Sequence, residues 1–339
     1  MEFSLIDRIR KLTEQGRDDV RLGIGDDAAL LAVPAGQELA VAIDTMVEGV
    51  HFPSGTSAAD IGWKALAVNL SDLAAMGATP AWALLALSLP SADVAFVDGF
   101  ASGFAQLAQA YRLALVGGDT TRGTLTISVA VHGFVPPGRA LTRAGAQVGD
   151  AVLVTGTLGD AAGGLRMHFA RDPSRGESTY RPSRPDHSKK EGHEDAHMAY
   201  LAERLNRPVP RVDAGLALRE RASACIDVSD GLLADLGHVC TSSRVGAQIE
   251  AALLPRSPAL LDLFDDATSC EFALSGGDDY ELCFTVPPQH VAAVQADLAR
   301  LGCGATRIGR IVEGEGVTVR DRDGYPLARD RQGWDHFSA

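Results

Sequence analysis

Ala58-Ala59-Asp60-Ile61-Gly62-Trp63-Lys64-Ala65-Leu66-Ala67-Val68-Asn69-Leu70-Ser71-Asp72-Leu73-Ala74-Ala75-Met76 reads as a helix, with Ile61, Ala65, Val68 and Leu73 broadly on one side. Working outward, Pro80 and Pro90 bracket a strand over 82–89. Residues 93–111 read as a second helix, with Val94, Phe100, Phe104 and Leu107 in the apolar positions. A strand at 113–116 then runs into Gly117-Gly118-Asp119. Upstream, 3–15 reads as a short amphipathic helix and 39–43 as a strand closing on Asp44. Downstream, the alternating, β-branched 125–135 is a strand. Helices interleaved with strands make this half an α/β layer structure.

Val135-Pro136-Pro137-Gly138 breaks that pattern. The second half opens near Asp150 with a strand at 151–155 and a Gly-rich turn into a helix. Helices are expected at 198–206, 212–222, 231–243 and 289–301, and strands near 248–251, 280–286 and 305–312. The expected domains are 1–140 and 148–339, which suits 339 residues at roughly 150 per domain. Residues 171–196 hold almost no large apolar side chain and read as a mobile polar insertion in the second domain. Asn69–Gly77 echoes Asp227–Asp235, and Gly117-Gly118-Asp119 echoes Gly276-Gly277-Asp278. Related halves and chance both account for that echo.

Acids outnumber bases 44 to 31, a formal charge of −13. A nucleic-acid binder shows a basic face, so nucleic acid is not an expected partner. No apolar run reaches the roughly 18–20 residues of a membrane span, and Met1–Leu12 lacks the anatomy of a signal peptide. The five cysteines, Cys225, Cys240, Cys270, Cys283 and Cys303, form no CxxC. They read as reduced thiols of a cytoplasmic protein.

The aspartates carry the chemistry. Asp26 and Asp27 follow Gly25; Asp44 closes a strand; Asp72 interrupts an apolar helix. Asp119 follows two glycines, Asp227 ends Ala224-Cys225-Ile226, and Asp230 follows three residues on. A carboxylate at an apolar element costs free energy unless it is paired or bound to a cation. Taken singly, Asp26 could cap a turn and Asp230 a helix. Together the acids are expected to converge round divalent cations, and oxygen-only donors select Mg²⁺ or Ca²⁺.

GxxxxGK[ST] is absent, so there is no P-loop, and the HRDxxxxN and DFG signatures of protein kinases are absent too. The turn Thr155-Gly156-Thr157-Leu158-Gly159-Asp160 could hold a phosphate on its N–H groups, but a plain turn with close helix packing fits its spacing better. His193-Glu194-Asp195-Ala196-His197 fits HExxH, yet it ends a polar insertion instead of lying on a buried helix, which disfavours zinc chemistry. His51 is either a substrate contact or a surface side chain. Arg143 clamps phosphate or is merely exposed. Trp334 stacks on a ligand or pins the tail.

Read in order, the blocks are Gly23-Ile24-Gly25-Asp26-Asp27, Asp44-Thr45-Met46-Val47-Glu48-Gly49-Val50-His51-Phe52, Lys64–Ala78, Gly117-Gly118-Asp119-Thr120, Asp227-Val228-Ser229-Asp230-Gly231-Leu232, Ser275–Leu282 and Gly333-Trp334-Asp335-His336-Phe337. This series, spread over almost the whole chain, resembles the thiamine-monophosphate kinases. They share a superfamily with aminoimidazole ribonucleotide synthetase, selenophosphate synthetase and a hydrogenase-maturation protein.

The resemblance implies a two-domain aminoimidazole ribonucleotide synthetase-like fold. An N-terminal α/β domain, binding ATP and magnesium, pairs its sheet with a second copy in a homodimer; a C-terminal α+β domain follows. It implies the last step of thiamine diphosphate synthesis, transfer of the ATP γ-phosphate to thiamine monophosphate, assisted by several Mg²⁺ ions. Carried over by position, Asp27, Asp44, Asp72, Asp119, Asp227 and Asp230 match metal ligands. Gly118, Asp119, Arg143 and Ser229 match nucleotide contacts, and His51, Asp278 and Trp334 the thiamine-phosphate side. The family often has Glu at the position of Asp278, so the reach there is shorter.

The chemistry is consistent with that implication. A phosphate monoester has its second ionisation near pH ~6, so the attacking oxygen is already anionic and no general base is needed. The obstacle is repulsion between two polyanions, and Asp72, Asp119 and Asp227 would act by positioning charge for direct in-line transfer. Among rivals, a selenophosphate synthetase needs a reactive cysteine near the N-terminus, whereas the first here is Cys225. The His51 and Gly-Trp-Asp-His-Phe blocks favour thiamine phosphate over the aminoimidazole substrate. A non-catalytic regulator would bind ATP without turnover.

Overall fold

The computed structural model describes residues 2–170, 191–327 and 333. The chain divides into two compact units, Met1–Ala140 and Leu141–Ala339. In the first, the order is α1 (Glu2–Thr13), β1 (Val20–Leu22), β2 (Leu30–Leu31), β3 (Glu38–Val47), α2 (Ala58–Ala75), β4 (Thr79–Leu89), α3 (Val94–Ala110), β5 (Ala114–Arg122) and β6 (Thr126–Val135). Strands β1 and β2 pair antiparallel. The other four form one sheet in the order β3-β6-β4-β5, antiparallel except for the parallel β4–β5 pair.

Two capped helices build the core of this unit. The Ser57 hydroxyl accepts the Asp60 N–H at the start of α2, and the Asp93 carboxylate accepts the Phe96 N–H at the start of α3. Helix α2 is apolar all round and packs on α3 and on three strands of the sheet. Leu66, Leu70, Phe100 and Phe104 are completely buried, and each contributes about 1.5–3 kcal/mol by leaving water. On edge strand β3 the alternate residues Leu39, Val41 and Ile43 remain exposed.

The second unit contains β7 (Ala151–Thr155), α4 (Asp160–Ala170), α5 (Glu191–Asn206), α6 (Val212–Leu218), β8 (Ala224–Asp227), α7 (Leu232–Ser243) and β9 (Gly246–Glu250). It continues with α8 (Pro258–Leu263), α9 (Asp266–Ser275), β10 (Leu282–Val286), α10 (Val291–Arg300), β11 (Ala305–Val312) and β12 (Gly316–Arg320). Its six-stranded sheet runs β12-β9-β11-β7-β10-β8, with β9–β12 the parallel pair. Strands β7 and β10 are central and buried along their whole length, and they read accordingly as unbroken apolar runs.

The structure departs from the sequence expectations at informative places. Asp44 lies inside β3 rather than at its end, and Asp119 lies inside β5. Gly118 makes that continuation possible: its φ is +152°, and a Cβ there would stand 1.8 Å from the Leu85 carbonyl oxygen. Residues 191–196, expected in the polar insertion, are the opening turns of α5; residues 171–190 lie outside the described residues. The echo between halves is not structural. Asp72 is within a helix whereas Asp230 is in a loop, and Gly117-Gly118-Asp119 is strand whereas Gly276-Gly277-Asp278 is loop. Elements β1, β2, α8, α9 and β12 went unread because each is short or lacks a clear period. Among the described residues, no helix is long and apolar enough to cross a membrane.

Candidate functional site

In the first unit the acids sit on three elements and one turn. Asp44 donates its backbone N–H to Asn69 Oδ1 at 3.0 Å, and Asn69 Nδ2 donates to the Ala65 carbonyl at 2.9 Å. One buried amide thus fixes β3 against α2, which also carries Asp72 a turn further on. Register places Asp44 in a row with Val129 and Leu85, and Asp119 in the adjacent row with Ala86 and Ser128. The two acids therefore lie towards the same end of the sheet. They are three strand spacings apart, about 14 Å across it. Asp27 is exposed in the preceding turn, its N–H donating to the Asp26 carboxylate at 2.9 Å.

His51 is held by the loop that follows β3. Its Nδ1 accepts the Val47 N–H at 3.0 Å, its own N–H donates to the Val47 carbonyl at 3.0 Å, and its carbonyl accepts from Lys64 Nζ at 3.1 Å. Lys64 is only 2% exposed. An acceptor at Nδ1 puts the proton of a neutral ring on Nε2. Sequence reasoning missed Lys64 and Asn69, although both are polar residues standing in the apolar run of α2.

In the second unit two loops are joined. β8 ends on the buried Asp227, and the chain turns through Ser229-Asp230-Gly231 into α7. The backbone N–H groups of Ser229, Asp230 and Gly231 all donate to Asp235 Oδ2, at 3.0, 3.1 and 3.1 Å. Burial and the charges of Asp227 and Asp230 push Asp235 up to about 8. This carboxylate occupies the N–H groups that a helix start offers to anions. Asp278 donates its N–H to the Ser229 carbonyl at 2.8 Å, and Tyr280 donates its own to the Val228 carbonyl at 2.8 Å. The structure therefore brings Asp227, Ser229, Asp230 and Asp278 onto neighbouring loops. Arg143 is exposed, its carbonyl accepting from Ser243 Oγ at 3.2 Å. Trp334 lies outside the described residues.

The Gly-rich turn after β7 is occupied by the protein's own carboxylates. Glu281 accepts from Arg211 Nε and Nη2 at 2.7 and 2.6 Å, from Arg204 Nη2 at 2.9 Å and from Thr155 Oγ1 at 2.7 Å. A Cβ on Gly156 would fall 2.2 Å from Glu281 Oε1. The Gly159 N–H donates to Asp279 Oδ2 at 2.7 Å. This is the packed turn, not a phosphate cradle. Burial opposes the charge of Glu281, but the hydrogen bond and charge of Arg211, with Arg204, hold it below the ordinary glutamate value. Burial pushes Asp279 well above the carboxylate range. His193 and His197 do share a helix, α5, with His197 Nδ1 3.4 Å from Asp262.

Among the described residues, no group of three or more His, Cys, Asp or Glu side chains is arranged to hold a metal ion. Among the described residues the HExxH pair therefore has no third ligand arranged with it. The donor set nevertheless fits Mg²⁺. It is all oxygen, and Mg²⁺ usually takes one or two carboxylates, several waters and substrate phosphates.

Residues 25–135 match the AIR synthase related protein, N-terminal domain, and residues 147–322 its C-terminal domain. The fold and the acid-bearing loops therefore define an AIR synthase related protein with both domains present. A thiamine-monophosphate kinase of Salmonella typhimurium is 46% identical over 338 residues, covering 99% of this chain and 98% of the relative. The crystal structure of thiamine-monophosphate kinase from Stenotrophomonas maltophilia K279a is 50% identical, with a TM-score of 0.83 over 96% of this chain and 98% of that one. A structure described as AaThiL complexed with AMPPCP and TMP is 33% identical, with a TM-score of 0.73 over 99% and 97%. The chain belongs to the thiamine-monophosphate kinase family.

Proposed function

We propose that this protein transfers the γ-phosphate of ATP to thiamine monophosphate, giving thiamine diphosphate and ADP. The observation that carries this reading is the full-length similarity to the Salmonella typhimurium kinase, 46% over 99% of the chain. The complex with AMPPCP and TMP in a 33% identical relative supports it.

Asp27, Asp44, Asp72 and Asp119 from the first unit, with Asp227 and Asp230 from the second, would hold Mg²⁺. Bound there, Mg²⁺ would supply positive charge against the phosphates. Gly118, Asp119, Arg143 and Ser229 contact ATP; His51, Asp278 and Trp334 contact thiamine monophosphate. His51, with Nδ1 accepting the Val47 N–H, carries the proton of a neutral ring on Nε2. Lys64 fixes the loop that aims it. The attacking oxygen of a phosphate monoester is anionic at pH 7, so these residues position charge and abstract no proton. Transfer is direct and in line, without a phosphoenzyme.

The first unit, 1–140, serves ATP, Mg²⁺ and pairing with a second copy, and 148–339 is the C-terminal domain, which carries Asp278 and Trp334. The exposed row on β3 supports a homodimer, and buried thiols at Cys225, Cys240, Cys283 and Cys303 suit a cytoplasmic location. Coupled ADP release tests the activity. Release that requires both thiamine monophosphate and Mg²⁺ is the expected result; release independent of thiamine monophosphate, or none at all, rejects it.

A further inference from the structure

We infer that Tyr280 is a positioning residue for thiamine monophosphate, acting through the carboxylate of Asp278. Tyr280 Oη donates to Asp278 Oδ1 at 3.0 Å. The two residues flank Asp279, which is 1% exposed and anchored by the Gly159 N–H. Both take left-handed backbone conformations, with φ of 67° at Asp278 and 50° at Tyr280. Such conformations are unfavourable for residues other than glycine, more so for tyrosine than for aspartate. They persist only where the surroundings over-determine them. Here the restraints are specific: the N–H groups of Asp278 and Tyr280 are held by the Ser229 and Val228 carbonyls, and the Glu281 carbonyl accepts the Val228 N–H at 2.8 Å.

That backbone geometry brings the phenol at 280 back onto the carboxylate at 278. An aspartate has one methylene fewer than a glutamate, so it cannot search for its partner and must be aimed beforehand. The hydroxyl supplies the aim and lowers the conformational cost of binding. A carboxylate repels the phosphate of the substrate and attracts its cationic thiazolium ring or an N–H donor. Tyr280 therefore serves recognition of the organic part of the molecule, and the phosphoryl transfer itself is untouched by it.

This inference rests on the reading of Asp278 as a substrate contact, so the test separates the two. Initial rates of the full-length protein, with Tyr280→Phe, Asp278→Asn and the double variant, are measured against thiamine monophosphate and against ATP. Tyr280→Phe removes one oxygen from a half-buried ring and leaves the backbone bonds in place. It is expected to raise KM for thiamine monophosphate about three- to tenfold, the range of an ordinary hydrogen bond, because Tyr280 acts on the substrate only through Asp278. The KM for ATP and kcat stay within twofold. Asp278→Asn raises the same KM at least as much, and the double variant is no worse than Asp278→Asn alone. If Asp278→Asn raises KM while Tyr280→Phe matches the wild type, the positioning role is overturned and the Asp278 contact stands. An Asp278→Asn variant with unchanged KM overturns both. Equal rises of both KM values in Tyr280→Phe would show a general loosening of the fold and overturn the inference as well.

Discussion

At the scale of single residues, burial and pairing set two neighbouring acids in opposite directions. Glu281 and Asp279 are both almost fully buried, yet only Glu281 meets guanidinium groups along its whole carboxylate edge. Its folded pKa lies below the unfolded value, so its contribution is complete above about 4.5 and is lost as pH falls through the folded value. Asp279 has one oxygen on the Gly159 N–H, while Oδ1 has no hydrogen-bond partner among the described residues. Its folded pKa is raised by burial, so its contribution is complete below about 3.8 and is lost as pH rises through the folded value. Asparagine keeps an acceptor for Gly159 and does not titrate. Asp279→Asn is therefore expected to match the wild type in the most acidic range and to become progressively the more stable protein as pH rises. Paired urea unfolding curves from pH 3.5 upwards measure this. A difference that stays constant with pH, or changes sign, would contradict the direction given for Asp279.

At the scale of elements, the boundaries depend on single positions that periodicity does not weigh. The apolar helix α2, the central strand β7 and strand β11 were legible because burial imposes a clear pattern on them. The endings of β3 and β5 were not. An aspartate or a Gly-Gly pair reads as a strand stop, because both are usual in turns. Asp44 stays in its strand because Asn69, reaching across from α2, accepts its N–H. Asp119 stays in its strand because Gly118 lets the chain pass under the Leu85 carbonyl. Those tertiary contacts are invisible in local sequence. The acids themselves were legible as candidates, since all but the turn residue Asp27 lie in or beside an apolar element. Their supports, Lys64, Asn69, Asp235 and Tyr280, stand in the sequence with no spacing to mark them. The Gly118 contact has a measurable consequence. Gly118→Ala places a methyl group 1.8 Å from a carbonyl oxygen at φ +152°. Strand β5 must then shift from β4, at a cost of about 1–3 kcal/mol for the backbone conformation alone. The expected result is a Tm lower by several degrees and a greater than tenfold loss of kcat, because Asp119 follows directly. Calorimetry and ADP release check it; wild-type values in both would remove Gly118 from the argument.

At the scale of the whole molecule, the question is what covers β3. Leu39, Val41 and Ile43 are 42%, 58% and 65% exposed, on alternate positions of one strand. Alternation puts all three on one face of the sheet. Ile43 pairs with Ala130, which pairs in turn with Leu84, itself 38% exposed, so the apolar row continues across three strands. Helix α2 packs on the strands from its own side, but among the described residues of the first unit nothing covers this row fully. Contiguous exposed apolar rows of this kind mark surfaces that meet a partner, and the homodimer proposed above supplies one. Val41 is the residue to change, because its exposure makes it nearly irrelevant to folding of one chain and central to the row. An aspartate there would be buried unpaired against a second copy, a change that typically costs several kcal/mol. Val41→Asp is expected to weaken self-association at least about 100-fold, while urea unfolding of the chain stays close to that of the wild type, since exposed substitutions cost less than about 0.5 kcal/mol. Sedimentation velocity across a dilution series reads the association directly. A wild type that sediments as a monomer at micromolar concentration, or a Val41→Asp protein that dimerises as tightly as its parent, would remove the row on β3 as the ground for pairing.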